Sequence, residues 1–127
     1  MAPTLRPLER LRRRSEFQAV HDGGNRAHGR YLALYVLPNE RAFSRLGVSA
    51  SRRLGPAVRR NRAKRVVRAV FREHKPPYAV DLVAIVKAPL LDAEFASVVA
   101  DYQSALKRAL GDATRRSPAA RTSTSSS

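Results

Sequence analysis

Residues 52–72 read RRLGPAVRRNRAKRVVRAVFR, and they decide how the rest of the chain is interpreted. The stretch holds nine basic side chains and no acidic one. Gly55-Pro56 interrupts the chain, and proline suits a first helical turn because its missing N–H would have no partner there. The pattern therefore predicts a helix that begins near Pro56. At about 100° per residue, a polar face of Asn61, Arg65, Arg68 and Arg72 lies opposite an apolar face of Ala63, Val66, Val67 and Val70.

The one-sided charge of this helix indicates a polyanionic partner. Surface helices usually mix signs to gain i,i+4 pairs, whereas these like charges repel one another. The whole chain carries 25 Lys+Arg against 10 Asp+Glu, a net charge of +15. Such a field attracts nucleic acid or an anionic membrane surface. Small valines and alanines back the helix, which favours a packed core over membrane insertion, so we expect nucleic acid as the partner and no membrane.

Length and composition limit the kinds of protein that this chain can be. A chain of 127 residues with 43% hydrophobic content supports one domain with a modest core. No apolar run approaches the ~20 residues that span a bilayer, and the segment MAPTLRPLERLRRR lacks the apolar region of a secretory signal. We therefore expect a cytoplasmic protein. The absence of cysteine excludes disulfides, thiolate zinc sites and cysteine nucleophiles.

The first half of the chain predicts a basic arm, a helix and two strands. Residues 1–14 are expected to form a flexible basic arm. Ser15 is a candidate N-cap for a short helix that places Phe17 and Val20 on one face. Residues 31–37 and 45–51 have the composition of strands, and the loop between them is short enough for an antiparallel hairpin.

The second half predicts a buried strand and a closing helix. Residues 79–87 form a nearly unbroken apolar run, typical of a central strand covered on both faces. Asp92 is a candidate N-cap for a helix that ends near Gly111, with an apolar stripe of Phe95, Val98, Val99, Tyr102, Leu106 and Leu110. We expect one domain over 15–111 and a disordered polar tail over 112–127. The order αββαβα predicts an α+β two-layer sandwich with helices against a small sheet.

The sequence offers no convincing catalytic or metal-binding set. Asp92 and Glu94 flank a helix start, where capping explains an acid, and Asp101 is expected on the outer face of that helix. His21, His28 and His74 lack ligand spacing and are interpreted as surface or groove residues. We therefore predict no catalytic and no metal-binding residues, so that any chemistry comes from a partner.

An ordered set of motifs resembles the bacterial ribonuclease P protein subunit. Arg60-Asn61-Arg62-Ala63-Lys64-Arg65, continued by Arg68 and Phe71-Arg72, is similar to the RNR signature of that family. Residues 45–55 resemble the strand and loop that lead into the signature helix. Ser15-Glu16-Phe17 with Val20 resembles the first helix, and residues 81–87 with the closing helix follow in the expected order. The resemblance covers about residues 10–110.

The resemblance implies a noncatalytic protein that assists a catalytic RNA. That RNA removes the 5′ leader from precursor tRNA by endonucleolytic cleavage, with Mg²⁺ acting through the RNA and a 1:1 complex of protein and RNA. It also implies a mixed sheet with a left-handed βαβ crossover. The residues that would contact the catalytic RNA are Arg60, Asn61, Arg62, Lys64, Arg65 and Arg68. The cleft for the single-stranded leader would contain Phe17, Tyr35, Arg52 and Arg53, with His21 where the family often has a second aromatic residue.

Alternatives remain open at this point. Phe17 has a second interpretation as an anchor between helix and sheet, and Tyr35 as a half-buried strand residue. The alternative function is that of a small ribosomal or general RNA-binding protein. An aromatic-lined groove distinguishes the two functions, because binding to structured RNA needs charge but no stacking platform.

Overall fold

A computed structural model describes residues 7–116 of the chain. Three α-helices and four strands are present in this range, and short 3-10 helices cover Pro7–Glu9, Arg52–Leu54 and Ala88–Asp92. The α+β class with a small mixed sheet is confirmed. In chain order the main elements are α1 (Arg14–Gly23), β1 (Asn25–His28), β2 (Leu32–Pro38), β3 (Arg45–Ser49), α2 (Ala57–Glu73), β4 (Val80–Val86) and α3 (Phe95–Arg116).

The sheet has the order β1-β2-β4-β3. Strand β4 lies antiparallel to β2 and parallel to β3, so its predicted central position is confirmed. The predicted hairpin between β2 and β3 is wrong, because β4 lies between them. A strand that is apolar on both faces gains most by having a neighbour on each side. The connection β3-α2-β4 joins adjacent parallel strands, and its left-handed sense stays a prediction.

The main core lies between one face of the sheet and the helices α2 and α3. Ala63, Val67 and Val70 of α2 are fully buried there, and Val66 packs at the edge, as the helical periodicity predicts. Helix α2 begins at Ala57 directly after Pro56. Gly55 turns the chain into this helix with a φ of 114°, a value that side-chain-bearing residues rarely adopt.

The opposite face of the sheet carries α1 and a smaller cluster, formed by Leu11, Val20, Tyr35 and Val83. Tyr35 and Val83 are register partners, whereas their chain neighbours Leu34 and Leu82 belong to the main core. This alternation follows from the period of two along a strand. The sheet therefore separates α1 from α2.

The N-terminal part of the domain begins earlier than predicted. Leu11 is only 5% exposed, and its N–H donates to the Leu46 carbonyl across 2.9 Å. Glu9 forms an ion pair with Lys75, so the described part of the predicted arm packs against the domain. Helix α1 starts at Arg14 rather than after a Ser15 cap, and the carboxylate of Glu16 accepts the N–H groups of Arg12 and Arg13 instead.

Helix α3 also differs from its predicted bounds. It begins at Phe95, because Asp92 ends a 3-10 helix and the Glu94 carbonyl accepts the first helical bonds. Phe95 is 42% exposed and does not join the core stripe. The helix continues through Gly111 to Arg116, and residues 1–6 and 117–127 of the predicted arm and tail lie outside the described range. None of the helices in the described range has the length and apolar character needed to cross a bilayer.

Candidate nucleic-acid interface

The outer face of α2 presents the predicted basic side chains to solvent. Asn61, Arg62 and Arg65 are exposed, whereas Arg60, Lys64 and Arg68 are half-buried. Arg60 uses its Nε to donate to the Gly55 carbonyl at 3.2 Å, which ties this side chain to the turn before the helix. The structure thus brings the six predicted residues onto one helix, with Asn61, Arg65 and Arg68 in a row and Arg60 and Arg62 on its flanks.

Arg68 has a basic neighbour that the sequence analysis missed. Burial lowers the pKa of Arg68, and the nearby charge of Arg10 lowers it further. Arg10 pairs with Leu46 along the outer edge of β3, and its buried Nε has no hydrogen-bond partner within residues 7–116. The basic face of α2 is therefore extended by the N-terminal segment.

A second candidate surface lies on the other side of the sheet, where α1 and the sheet line an open cavity of about 310 Å³. Helix α1 contributes residues at i, i+3, i+4 and i+7, which share one face. The helix side consists of Arg14, Phe17, Gln18 and His21, and the sheet side consists of Ser49, Val83 and Ile85. We call this cavity the α1 cleft.

Two of the predicted cleft aromatics are stacked on one another. The rings of His21 and Tyr35 have centroids 4.8 Å apart and an angle of 23° between their planes. Tyr35 is only 7% exposed, whereas His21 is exposed and lines the cleft. The available stacking surfaces are therefore Phe17 and His21, and Tyr35 supports His21 from below.

An ion-pair network fixes α1 on the sheet. Arg45 of β3 donates two hydrogen bonds to Asp81 of β4, at 2.9 and 2.7 Å, and a third to Glu16 of α1 at 2.9 Å. The backbone N–H groups of Arg13 and Arg12, together with Arg45, lower the pKa of Glu16 to about 2. Bonding to Asp81 raises the pKa of Arg45. The network holds the helix that carries Phe17 and His21 in one position.

Gly47 allows Phe17 to lie directly on β3. A Cβ atom at Gly47 would lie 2.5 Å from Cζ and 2.7 Å from Cε2 of the Phe17 ring. Ordinary carbon contacts are about 3.5–4.0 Å. The ring therefore occupies the space that any other residue at position 47 would fill.

Arg52 and Arg53 do not line the cleft in this structure. Both are exposed in the 3-10 helix that follows β3. The last residue of β3, Ser49, does line the cleft. Arg26, which the sequence analysis missed, pairs with Tyr35 across β1 and β2 and therefore projects to the cleft side of the sheet. Arg14 and Gln18 were also missed, although their helical spacing from Phe17 and His21 would have revealed them.

Several of the described carboxylates are occupied by structural bonds. Asp101 was expected on the outer face of α3, but it accepts the N–H groups of Arg30 and Tyr31 at 2.8 and 2.9 Å. Over residues 7–116, no three His, Asp or Glu side chains come together in a way that could hold a metal ion.

Comparisons with known proteins agree with this geometry. The family model described as Ribonuclease P matches residues 5–110. A ribonuclease P protein component of Shouchella clausii is 39% identical, and the match covers 83% of this chain and 88% of the relative. The corresponding protein of Halalkalibacterium halodurans is 36% identical, with coverage of 83% and 91%.

Solved structures show the same fold. The RNase P protein of Staphylococcus aureus superposes with a TM-score of 0.71 at 32% identity, covering 80% of this chain and 94% of that one. The RNase P protein of Thermotoga maritima gives a TM-score of 0.71 at 34% identity, with coverage of 79% and 96%. The motifs, the fold and these matches together show that this chain belongs to the family of bacterial ribonuclease P protein components.

Proposed function

We propose that this subunit of ribonuclease P binds the catalytic RNA with α2 and the single-stranded leader of precursor tRNA with the α1 cleft. The observation that carries the proposal is the placement of these two surfaces on opposite faces of one sheet. A protein with this arrangement can contact two RNA segments at the same time. It would thereby hold the leader beside the catalytic RNA.

The face of α2 suits structured RNA. Arg62 and Arg65 are exposed and project from a rigid helix whose other face is fixed in the core. Such side chains bind phosphates through charge and bidentate hydrogen bonds, without a need for unpaired bases. Asn61 adds a neutral amide that can donate and accept a directed hydrogen bond.

The α1 cleft suits an unpaired strand. Phe17 and His21 offer ring faces on which bases can stack, and Arg14 and Arg26 provide charge for the phosphates beside them. Arg52 and Arg53 would meet the strand where it leaves the cleft. A cleft with stacking surfaces favours leader binding over the alternative of a general RNA-binding protein, which needs charge alone.

The chemistry is assigned to the RNA partner. Glu16 and Asp81 are bonded to Arg45, and Asp101 is bonded to backbone N–H groups, so these acids do not fit a Mg²⁺ site. We therefore propose that the catalytic RNA holds Mg²⁺ and cleaves the phosphodiester. In this proposal one protein acts with one RNA in the cytoplasm.

Reconstitution tests the proposal. A bacterial ribonuclease P RNA and 5′-labelled precursor tRNA are mixed at low Mg²⁺, and cleavage is measured with and without the protein. We expect strong stimulation by the protein and no cleavage by the protein alone. Tight RNA binding without stimulation would support the general RNA-binding alternative instead.

A further inference from the structure

A second concave surface lies away from both the α1 cleft and the outer face of α2. It has a volume of about 540 Å³ and forms where the turn between β1 and β2, the start of α2 and the 3-10 helix Ala88–Asp92 meet. Its polar and aromatic lining consists of Arg30, Tyr31, Arg59 and Asp92. We call this surface the Tyr31 pocket.

Both arginines of the pocket have donors to spare. Arg59 donates from Nε to the Leu54 carbonyl at 3.0 Å, which fixes the side chain and leaves its two terminal nitrogens without a partner among residues 7–116. The Arg30 guanidinium lies 5.6 Å from the centroid of the Tyr31 ring and makes no hydrogen bond to the described residues. The pocket thus combines unsatisfied cationic donors with an aromatic ring.

The backbone under this pocket is held from two sides. The Asp101 carboxylate of α3 accepts both the Arg30 and the Tyr31 N–H, and the Tyr31 carbonyl accepts the N–H of Lys87 at 3.0 Å. Gly29 is required for this contact, because a Cβ there would lie 2.3 Å from the Asp101 carboxylate. A binding surface on a fixed backbone loses little conformational freedom when a ligand binds.

From this arrangement we propose that the Tyr31 pocket binds one unpaired RNA nucleotide. The base stacks against Arg30 and Tyr31, and Arg59 binds the adjoining phosphate. Asp92 accepts a hydrogen bond from an exocyclic amino group of the base. Its negative charge would repel a phosphate, so the base rather than a second phosphate lies beside it. The inference rests on the proposed function, since it requires an RNA partner.

A nucleotide fits this surface better than a simple anion does. The volume is within the range of about 300–1,000 Å³ that small-ligand pockets occupy, which is far more than one phosphate needs. The two arginines carry two positive charges, of which one phosphate neutralises one and Asp92 the other. Asp92 also supplies a hydrogen-bond acceptor that a simple anion would not use. Charge, aromatic surface and size therefore agree.

Affinity measurements on two RNA partners test the inference. The double variant Arg30→Gln/Tyr31→Leu removes the stacking surfaces and keeps apolar packing at position 31. A second variant, Ala88→Glu, places a carboxylate at an exposed position of the pocket lining and leaves Arg30 and Tyr31 unchanged. The matched controls are Arg41→Gln and Ala42→Glu on the exposed loop after β2. Circular dichroism checks that each variant is folded. Fluorescence anisotropy then measures its affinity for catalytic RNA alone and for a labelled leader oligonucleotide.

We expect each pocket variant to bind one of the two RNAs about fivefold or more weakly than its control, as loss of one stacked base predicts. Loss with catalytic RNA assigns the nucleotide to that RNA, and loss with the oligonucleotide assigns it to the leader. If Ala88→Glu folds and matches Ala42→Glu with both RNAs, the inference is overturned. Wild-type protein that binds both RNAs but fails to stimulate cleavage would instead contradict the proposed function, so the two failures are distinguishable.

Discussion

The substitution Gly47→Ala tests whether Phe17 lies on β3 as described. The added Cβ would lie 2.5 Å from Cζ of Phe17 and 3.1 Å from Cβ of Leu11. To reach an ordinary carbon contact, the ring must move by about 1 Å. Phe17 and Leu11 both pack in the small cluster under α1, so neither side chain moves without disturbing the other.

The cost follows from overpacking rather than from the backbone. Gly47 does not have a positive φ, which among the described glycines only Gly55 has, so alanine suits the strand conformation. Extra methyl groups in a packed region typically cost about 1–3 kcal/mol. We expect Gly47→Ala to lower the free energy of unfolding by an amount in this range. We also expect it to weaken binding of precursor tRNA more than binding of mature tRNA.

The assay is urea unfolding, with Gly111→Ala as the matched control. A Cβ at Gly111 meets nothing within 4 Å, so alanine in that helix should stabilise the protein by about 0.5–1 kcal/mol. The double variant Gly47→Ala/Phe17→Leu should recover part of the loss, because the smaller side chain leaves room for the methyl group. If Gly47→Ala is as stable as wild type, the close contact between Phe17 and β3 is refuted.

Three further outcomes are expected. Phe17→Leu should weaken precursor tRNA binding by about 1–3 kcal/mol per lost stacked base and leave mature tRNA binding unchanged. The control is Phe95→Leu at an exposed site, and equal losses for both tRNAs would show that Phe17 does not contact the leader. Arg62→Ala/Arg65→Ala should reduce the salt slope of catalytic RNA binding by about 2 relative to Arg41→Ala, whereas an unchanged slope would exclude this face. Because the pKa of Glu16 falls from 4.5 to about 2 on folding, its stabilisation is present above pH 4.5 and is lost as pH falls toward 2. The stability difference between wild type and Glu16→Gln should therefore shrink over that window, and a constant difference would argue against the bonds of the Glu16 carboxylate to the Arg13 and Arg12 N–H groups and to Arg45.

The parts of the fold that sequence periodicity predicts are those with a regular apolar face. Helix α2 and the central strand β4 were predicted because their buried residues recur at the helical and strand spacings. Strand β1 was missed, since Asn25-Arg26-Ala27-His28 contains one apolar residue and is defined by its pairing with β2. The wrong hairpin came from the proximity of two strands in sequence, although the two-sided apolar character of β4 already favoured a position with neighbours on both sides.

The site was predictable only where its residues lie close together in sequence. The basic face of α2 and the pair Phe17 and His21 each belong to one helix. The network of Arg45 with Glu16 and Asp81 joins three separate elements, so no local pattern reveals it. The burial of Leu11 was not predictable locally, because it depends on pairing with β3, which lies far along the sequence.

The most direct test of the two-surface account is a crosslink from the leader itself. Precursor tRNA with 4-thiouridine at single leader positions is bound to the complex of protein and catalytic RNA and irradiated, and the crosslinked peptide is identified by mass spectrometry. We predict crosslinks to α1 at residues 14–23, centred on Phe17 and His21. Leader crosslinks confined to the basic face of α2 would contradict the assignment of the α1 cleft to the leader.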